Sequence, residues 1–189
     1  MSQGRVSADA RMREYAESFR WLEESKVVNI ARNATDPGLA LAMSEDYETQ
    51  KLYSADTGLL ISQTFANRPY TENELYRNLM MDNLSVNEGM MAENSVAQAL
   101  RTNGIELYFY SRPADATGRG RMEIDFLVRK GDRICPVEVK SGEYRRHAAL
   151  DKFRSKFKDR LGEAYILYTK DLMVKDGIYH LPLYMAMFL

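Results

Sequence analysis

Two alternating runs, Met122-Glu-Ile-Asp-Phe-Leu-Val128 and Cys135-Pro-Val-Glu-Val-Lys-Ser-Gly142, constrain this chain more than any other feature. Each has the period of two expected of a strand with one buried face, and Lys130-Gly131-Asp132 supplies the turn between them. The pair therefore reads as adjacent strands. In the second, Val137 and Val139 point one way while Glu138 and Lys140 point the other. Together with Asp125 on the first strand, these charges converge on one surface of an apolar sheet. Buried charge is costly unless it is paired or coordinated, so such a cluster calls for a task.

The flanking pattern extends this into a fold. Val86, Met90, Val96, Ala97 and Leu100 mark a helix that ends near Thr102, before Asn103-Gly104. Strands follow at 106–110, 123–128 and 133–139, then a helix at 146–158 and a strand at 163–168. This order, αβββαβ, predicts an α/β (α+β) domain with a mixed sheet flanked by helices over residues 81–189. Upstream, Tyr15, Phe19 and Leu22 lie on one face of a helix over 8–25. Short strands are expected at 26–31, 39–43 and 51–54, with a turn at Asp36-Pro37-Gly38. Asp56-Thr57-Gly58 caps a helix running to Phe65. A helix followed by a small hairpin suggests a separate winged-helix-like module over 1–80. The apolar segment Leu181 to Leu189 reads as a terminal element packed on the core.

Composition narrows the class of protein. With 189 residues, 45% hydrophobic and 28% charged, the chain can build one good-sized core. Its single cysteine, Cys135, excludes an internal disulfide and fits a reducing compartment, so the cytoplasm is the expected location. The polar N-terminus shows no signal peptide, and no apolar run reaches the length of a membrane helix, so no membrane partner is expected. The net charge of −1 hides an asymmetry: residues 118–160 hold 13 Lys and Arg against 7 Asp and Glu. A basic region around an acidic cluster favours a polyanion such as DNA, although a solvated mixed-charge helix explains the same bias.

Glu93, in Met91-Ala-Glu-Asn-Ser95, adds a third carboxylate on the preceding helix, and Glu123 shares the strand face of Asp125. Glu93, Asp125, Glu138 and Lys140 on an αβββαβ order resemble the catalytic set of the PD-(D/E)XK nuclease superfamily, which implies a restriction-endonuclease-like core. A narrower resemblance rests on Lys51-Leu-Tyr-Ser-Ala-Asp-Thr-Gly58, Ala92-Glu-Asn94, Glu106-Leu-Tyr-Phe-Tyr-Ser-Arg112, Glu123-Ile-Asp-Phe126 and Val137-Glu-Val-Lys-Ser-Gly142. These segments look like the DUF4143 domain, a C-terminal domain of prokaryotic AAA-type ATP-binding proteins. The resemblance implies an AAA-type ATPase module or subunit as partner. No Gly-x-x-x-x-Gly-Lys-Ser/Thr loop occurs in this sequence, so ATP hydrolysis is not expected of it.

The chemistry follows from the residue types. Mg²⁺ or Mn²⁺ takes oxygen ligands and keeps several waters, so Asp125 and Glu138 suffice as protein ligands, with the Val139 carbonyl and Glu93 as further candidates. Lys140 would orient an attacking water or meet charge developing on phosphate. Arg145, Arg146, Lys152 and Lys156, with Lys158, would grip the nucleic-acid backbone. With His147 and His180 the only histidines, zinc is not expected. The expected function is divalent-metal-dependent hydrolysis of DNA, at ends, flaps or branches. Two alternatives stay open: a catalytically inactive nuclease-fold module that binds DNA or docks to an AAA-type ATPase, and an ion-pair network that merely closes the sheet.

Overall fold

The hairpin at the centre of the chain forms where the alternation places it. Strands β4 (Met122–Lys130) and β5 (Arg133–Val139) pair antiparallel, Phe126 facing Val137 and Lys130 facing Arg133. The two-residue loop between them needs a positive φ at its first position, and Gly131 supplies it at 60°. The computed structural model describes residues 15–38, 40–65, 74, 88–116, 120–142 and 147–189.

Around this hairpin the described residues build one eight-stranded mixed sheet in the order β2-β1-β3-β4-β5-β6-β8-β7. Its other strands are β1 (Val28–Ala34), β2 (Glu45–Ser54), β3 (Tyr108–Arg112), β6 (Ala164–Tyr168), β7 (Met173–Lys175) and β8 (Ile178–Pro182). The helices are α1 (Ala16–Glu24), α2 (Thr57–Phe65), α3 (Glu88–Thr102) and α4 (Ala148–Phe157). From α3 to β6 the elements follow the αβββαβ order read from the sequence. β5 and β6 are parallel, which requires a crossover, and α4 lies in it.

The central strands of the sheet are buried on both faces, giving three layers. On one side Val96, Ala97 and Leu100 of α3 pack with Phe109, Phe126, Val137 and Leu167. On the other, Leu150 and Phe153 of α4 pack with Tyr110, Ile124, Ile134 and Ile166. No described helix is long and apolar enough to cross a membrane.

The N-terminal half differs from the expectation in an instructive way. Its strands do not form a sheet of their own. β1 runs parallel to β3, with Arg32 beside Tyr108 and Asn33 beside Phe109, so the β1–β2 hairpin extends the central sheet across the division expected near residue 80. The buried Asn33 secures this join: its amide donates to the Ser111 carbonyl at 3.3 Å and its oxygen accepts the Ser111 N–H at 2.8 Å. The strand expected at 39–43 is instead a 3-10 turn over Leu41–Ser44, held by the Ser44 hydroxyl donating to the Leu41 carbonyl. The strand expected at 51–54 is the end of the ten-residue β2. Of the helix expected over 8–25, Ala16–Glu24 is helical, and 8–14 lie outside the described residues.

The C-terminal segment does pack on the core, as β8 followed by a 3-10 turn over Leu183–Phe188 that buries Ala186 against the α3 layer. The β7–β8 hairpin was not anticipated. Asp176-Gly177 makes its two-residue turn with φ of 53° and 68°, the conformation that Asp-Gly favours.

A bulge in β4 shapes the functional face. Tyr108 pairs with Leu127 but Tyr110 pairs with Ile124, so Asp125 and Phe126 together oppose the single residue Phe109. Ile124 and Leu127 therefore both face the α4 layer, while Phe126 joins the α3 layer.

Candidate functional site

The bulge and the end of β5 bring charged side chains to one place. Lys51 projects inward from β2, and its Nζ lies 3.0 Å from Glu93 Oε1 of α3, 3.0 Å from Glu123 Oε1 and 3.7 Å from Asp125 Oδ1. It also sits 5.2 Å from the centre of the Phe109 ring, within the range of a cation–π contact. Two positions on, Tyr53 points the same way and its hydroxyl donates to Glu93 Oε1. The buried Tyr53 ring packs on Phe126, with centroids 5.6 Å apart.

Asp125 stands where β4 and β5 separate. Its Oδ1 faces Lys51, and its Oδ2 accepts the Val139 N–H at 2.8 Å in place of a ladder bond. Val137 and Val139 pack with the α3 layer, so Glu138 and Lys140 alternate to the other side of β5. There Glu138, only 4% exposed, pairs with Lys140 Nζ at 2.8 Å. The Lys140 N–H continues the sheet by donating to the Leu167 carbonyl. The anticipated residues thus form two linked groups. Glu93, Glu123 and Asp125 surround Lys51, Glu138 holds Lys140, and Asp125 with the Val139 peptide stands between them.

The local fold explains how these side chains are held. Asn94, 2% exposed, accepts the Ser54 N–H at 2.8 Å and donates to the Ser54 carbonyl and the Thr57 hydroxyl. It thereby clamps α3 to the corner between β2 and α2. Gln98, one turn further along α3, accepts from both the Thr57 N–H and hydroxyl. As expected, Asp56 caps α2, its Oδ1 accepting the Leu59 N–H. With α3 and β2 locked together, Glu93 has little freedom to leave Lys51 and Tyr53.

The electrostatics record an excess of negative charge. Burial, then the neighbouring Glu93 and Glu138, push the Asp125 carboxyl up to about 7, although Lys51 opposes them. Burial alone would lower the Lys51 ammonium, but Glu93, Asp125 and Glu123 outweigh it and hold Lys51 above the ordinary lysine value. Burial similarly opposes Lys140, which Glu138 first, then Asp125 and Glu93, hold above its usual value. Burial and Glu93 drive the Tyr53 phenol far above its ordinary range, so it acts as a donor. Burial would raise Glu123, but Lys51, then Arg121, keep it below the usual carboxylate value.

The remaining anticipated residues are dispersed. Lys152 is exposed on α4. The Lys156 ammonium lies 4.6 Å over the Phe157 ring and donates to the Tyr110 hydroxyl at 3.3 Å. Arg145 and Arg146 lie outside the described residues. At the far end of the hairpin, Arg133 donates to the Asp159 carbonyl, and Lys130 lies 2.8 Å from the Tyr165 hydroxyl. Part of the basic bias therefore serves local packing. His147 and His180 meet in a T-shaped pair, with centroids 6.5 Å apart.

Lys51 and Tyr53 were not among the anticipated site residues. No usable signal for them lay in the sequence: in the fold Leu52 is 40% exposed whereas the flanking lysine and tyrosine turn inward, the reverse of the hydrophobic pattern. Among the described residues, no three His, Cys, Asp or Glu side chains form a ready-made metal cage, and the carboxylates converge on the Lys51 ammonium instead.

The profile of a protein family described as Domain of unknown function (DUF4143) matches residues 88–185. No curated protein and no solved structure matches the chain. The matched segment begins at the first residue of α3 and takes in Glu93, Asp125, Glu138 and Lys140, while Lys51 and Tyr53 precede it. As the match spans more than half of the sequence, the chain belongs to the Domain of unknown function (DUF4143) family.

Proposed function

We propose that the chain carries a Mg²⁺- or Mn²⁺-dependent phosphodiester hydrolase site acting on DNA, on a core related to the PD-(D/E)XK nucleases. The observation behind this reading is the convergence of Glu93, Glu123 and Asp125 on one ammonium, with the Glu138–Lys140 pair at the adjoining strand end. Four carboxylates stand against Lys51, Lys140 and, at the exposed edge, Arg121, so the site is short of positive charge. Hard oxygen donors with surplus negative charge suit these divalent ions, and Lys51 acts as a stand-in cation among them.

Asp125 Oδ1 and Glu93 would hold the ion, with the Val139 carbonyl as a further ligand, while Glu138 on the other side of β5 holds Lys140. A bound ion neutralises charge on a phosphate and lowers the pKa of a coordinated water. The chain's own groups do the rest. The Val139 N–H fixes the orientation of Asp125, and Glu138 keeps Lys140 protonated and aimed. Lys140 then offers a compact positive charge to the phosphate oxygens as charge develops there. Lys152 and Lys156, with Arg145 and Arg146, would steer the DNA backbone toward the site.

Incubating the protein with linear, single-stranded and branched DNA tests this reading. Cutting is expected with Mg²⁺ or Mn²⁺, to be abolished by EDTA, and to fall about a hundredfold or more in Lys140→Ala. Cutting that survives EDTA, or that Lys140→Ala leaves unchanged, overturns it.

One observation favours a second reading, a nuclease-fold module without turnover that binds DNA or docks to an AAA-type ATPase. Lys51 already neutralises the carboxylates that a metal would use. On that reading calorimetry detects no divalent ion, and any DNA binding weakens steeply with salt.

A further inference from the structure

The Lys51 ammonium lies 3.0 Å from both Glu93 and Glu123 and 3.7 Å from Asp125, at the point where these carboxylates converge. A divalent ion bound by Glu93 and Asp125 at about 2.1 Å would need the same space. Two cations cannot share it. We infer that Lys51 is a tethered competitor for the metal ion, and that its ammonium must leave the carboxylates before a divalent cation enters. This inference rests on the proposed metal site and adds what sets its occupancy.

Three features make the exchange physically reasonable. Lys51 has a long flexible stem, and its side chain is 18% exposed, so the ammonium has a route toward solvent. Its tether is β2, whereas the carboxylates belong to α3 and β4. The lysine can therefore withdraw without moving the ligands. Tyr53 and the Val139 N–H separately hold Glu93 and Asp125, so the ligands stay oriented once Lys51 has gone. In the metal-free protein Lys51 offsets the repulsion among these acids, which would otherwise strain the junction of β2, α3 and β4.

The device lowers the apparent affinity of the site for the metal ion, so a higher divalent-ion concentration is needed to fill it. A neighbouring unit charge changes the cation affinity of a carboxylate by about one to two orders of magnitude. Removing the ammonium should tighten metal binding by a similar factor, and retaining the charge should not.

Titration of Mn²⁺ and Mg²⁺ into the folded full chain by calorimetry tests this with four proteins: wild type, Lys51→Met, Lys51→Arg and Asp125→Asn. Lys51→Met should bind about ten- to a hundredfold more tightly than wild type. Lys51→Arg should stay near wild type, and Asp125→Asn should lose binding. If wild type binds through Asp125 but Lys51→Met binds no tighter, the competitor role is overturned and the metal site stands. If neither wild type nor Lys51→Met binds, or Asp125→Asn binds as wild type does, the metal site falls, and this role with it. Should Lys51→Met fail to fold, lysine-ammonium NMR of the wild-type chain decides instead. The Lys51 signal should be protected without metal and lost to exchange on saturation with Mg²⁺. A Lys51 signal unchanged in a metal-saturated protein overturns the inference.

Discussion

Asp125 is the residue whose charge is hardest to accommodate, and its position shows why. The bulge leaves it beside Phe126 without a direct partner on β3, and burial together with Glu93 and Glu138 raises its carboxyl to about 7 from an ordinary 3.8. Folding therefore takes up a proton at this position between those values. Asp125 favours the folded state at low pH, and that contribution is lost as pH rises from about 4 to about 7. Asp125→Asn keeps an oxygen for the Val139 N–H but carries no charge. In EDTA-containing buffer its stability relative to wild type should rise across that window, by on the order of 2 kcal/mol. Urea unfolding at a series of pH values measures this, and a difference independent of pH would refute it. The identity of this acid was legible in the alternation of β4, whereas its environment was not. Period-two patterning cannot register a bulge, since the extra residue shows only against the partner strand.

At the scale of elements, the site depends on how α3 meets β2. Asn94 replaces missing backbone bonds at this corner, serving the Ser54 N–H, the Ser54 carbonyl and the Thr57 hydroxyl from one buried amide. Asn94→Ala removes all three bonds at once and should cost about 2–3 kcal/mol in chemical denaturation. Because Glu93 is the preceding residue, the same change should loosen its pairing with Lys51, which lysine-ammonium NMR would report as faster exchange. A cost below about 0.5 kcal/mol would mean that the corner is held by packing alone. Helix α3 was legible from its apolar spacing and from Asn103-Gly104 at its end. The β7–β8 hairpin was equally signalled by Asp176-Gly177, but with flanking strands of three and five residues it offered little alternation to accompany the turn.

At the scale of the whole molecule, one sheet joins segments that look separable in sequence. Ala31 of β1 and Tyr53 of β2 lie in the same buried cluster as Leu100 of α3 and Phe126 of β4. Unfolding should therefore be a single transition, with far-UV and near-UV circular dichroism coinciding in urea. Two separated transitions would instead support an independent N-terminal module. Deleting residues 1–80 should remove Lys51 and bare the edge of β3, leaving a chain that no longer unfolds cooperatively.

The sequence by itself determined the β4–β5 hairpin, the αβββαβ order and the acids that line the candidate site. These are local properties: alternation reports which residues share a face, and Gly131 supplies the φ that its turn needs. Only the tertiary structure decided that β1 pairs with β3, which carries Lys51 to Glu93 across 42 positions of chain. Neither partner's neighbours in sequence encode that meeting, because a strand's own pattern names its buried face and not the strand beside it. The acidic motif could thus be read residue by residue, while the lysine at its centre emerged only from the folded sheet.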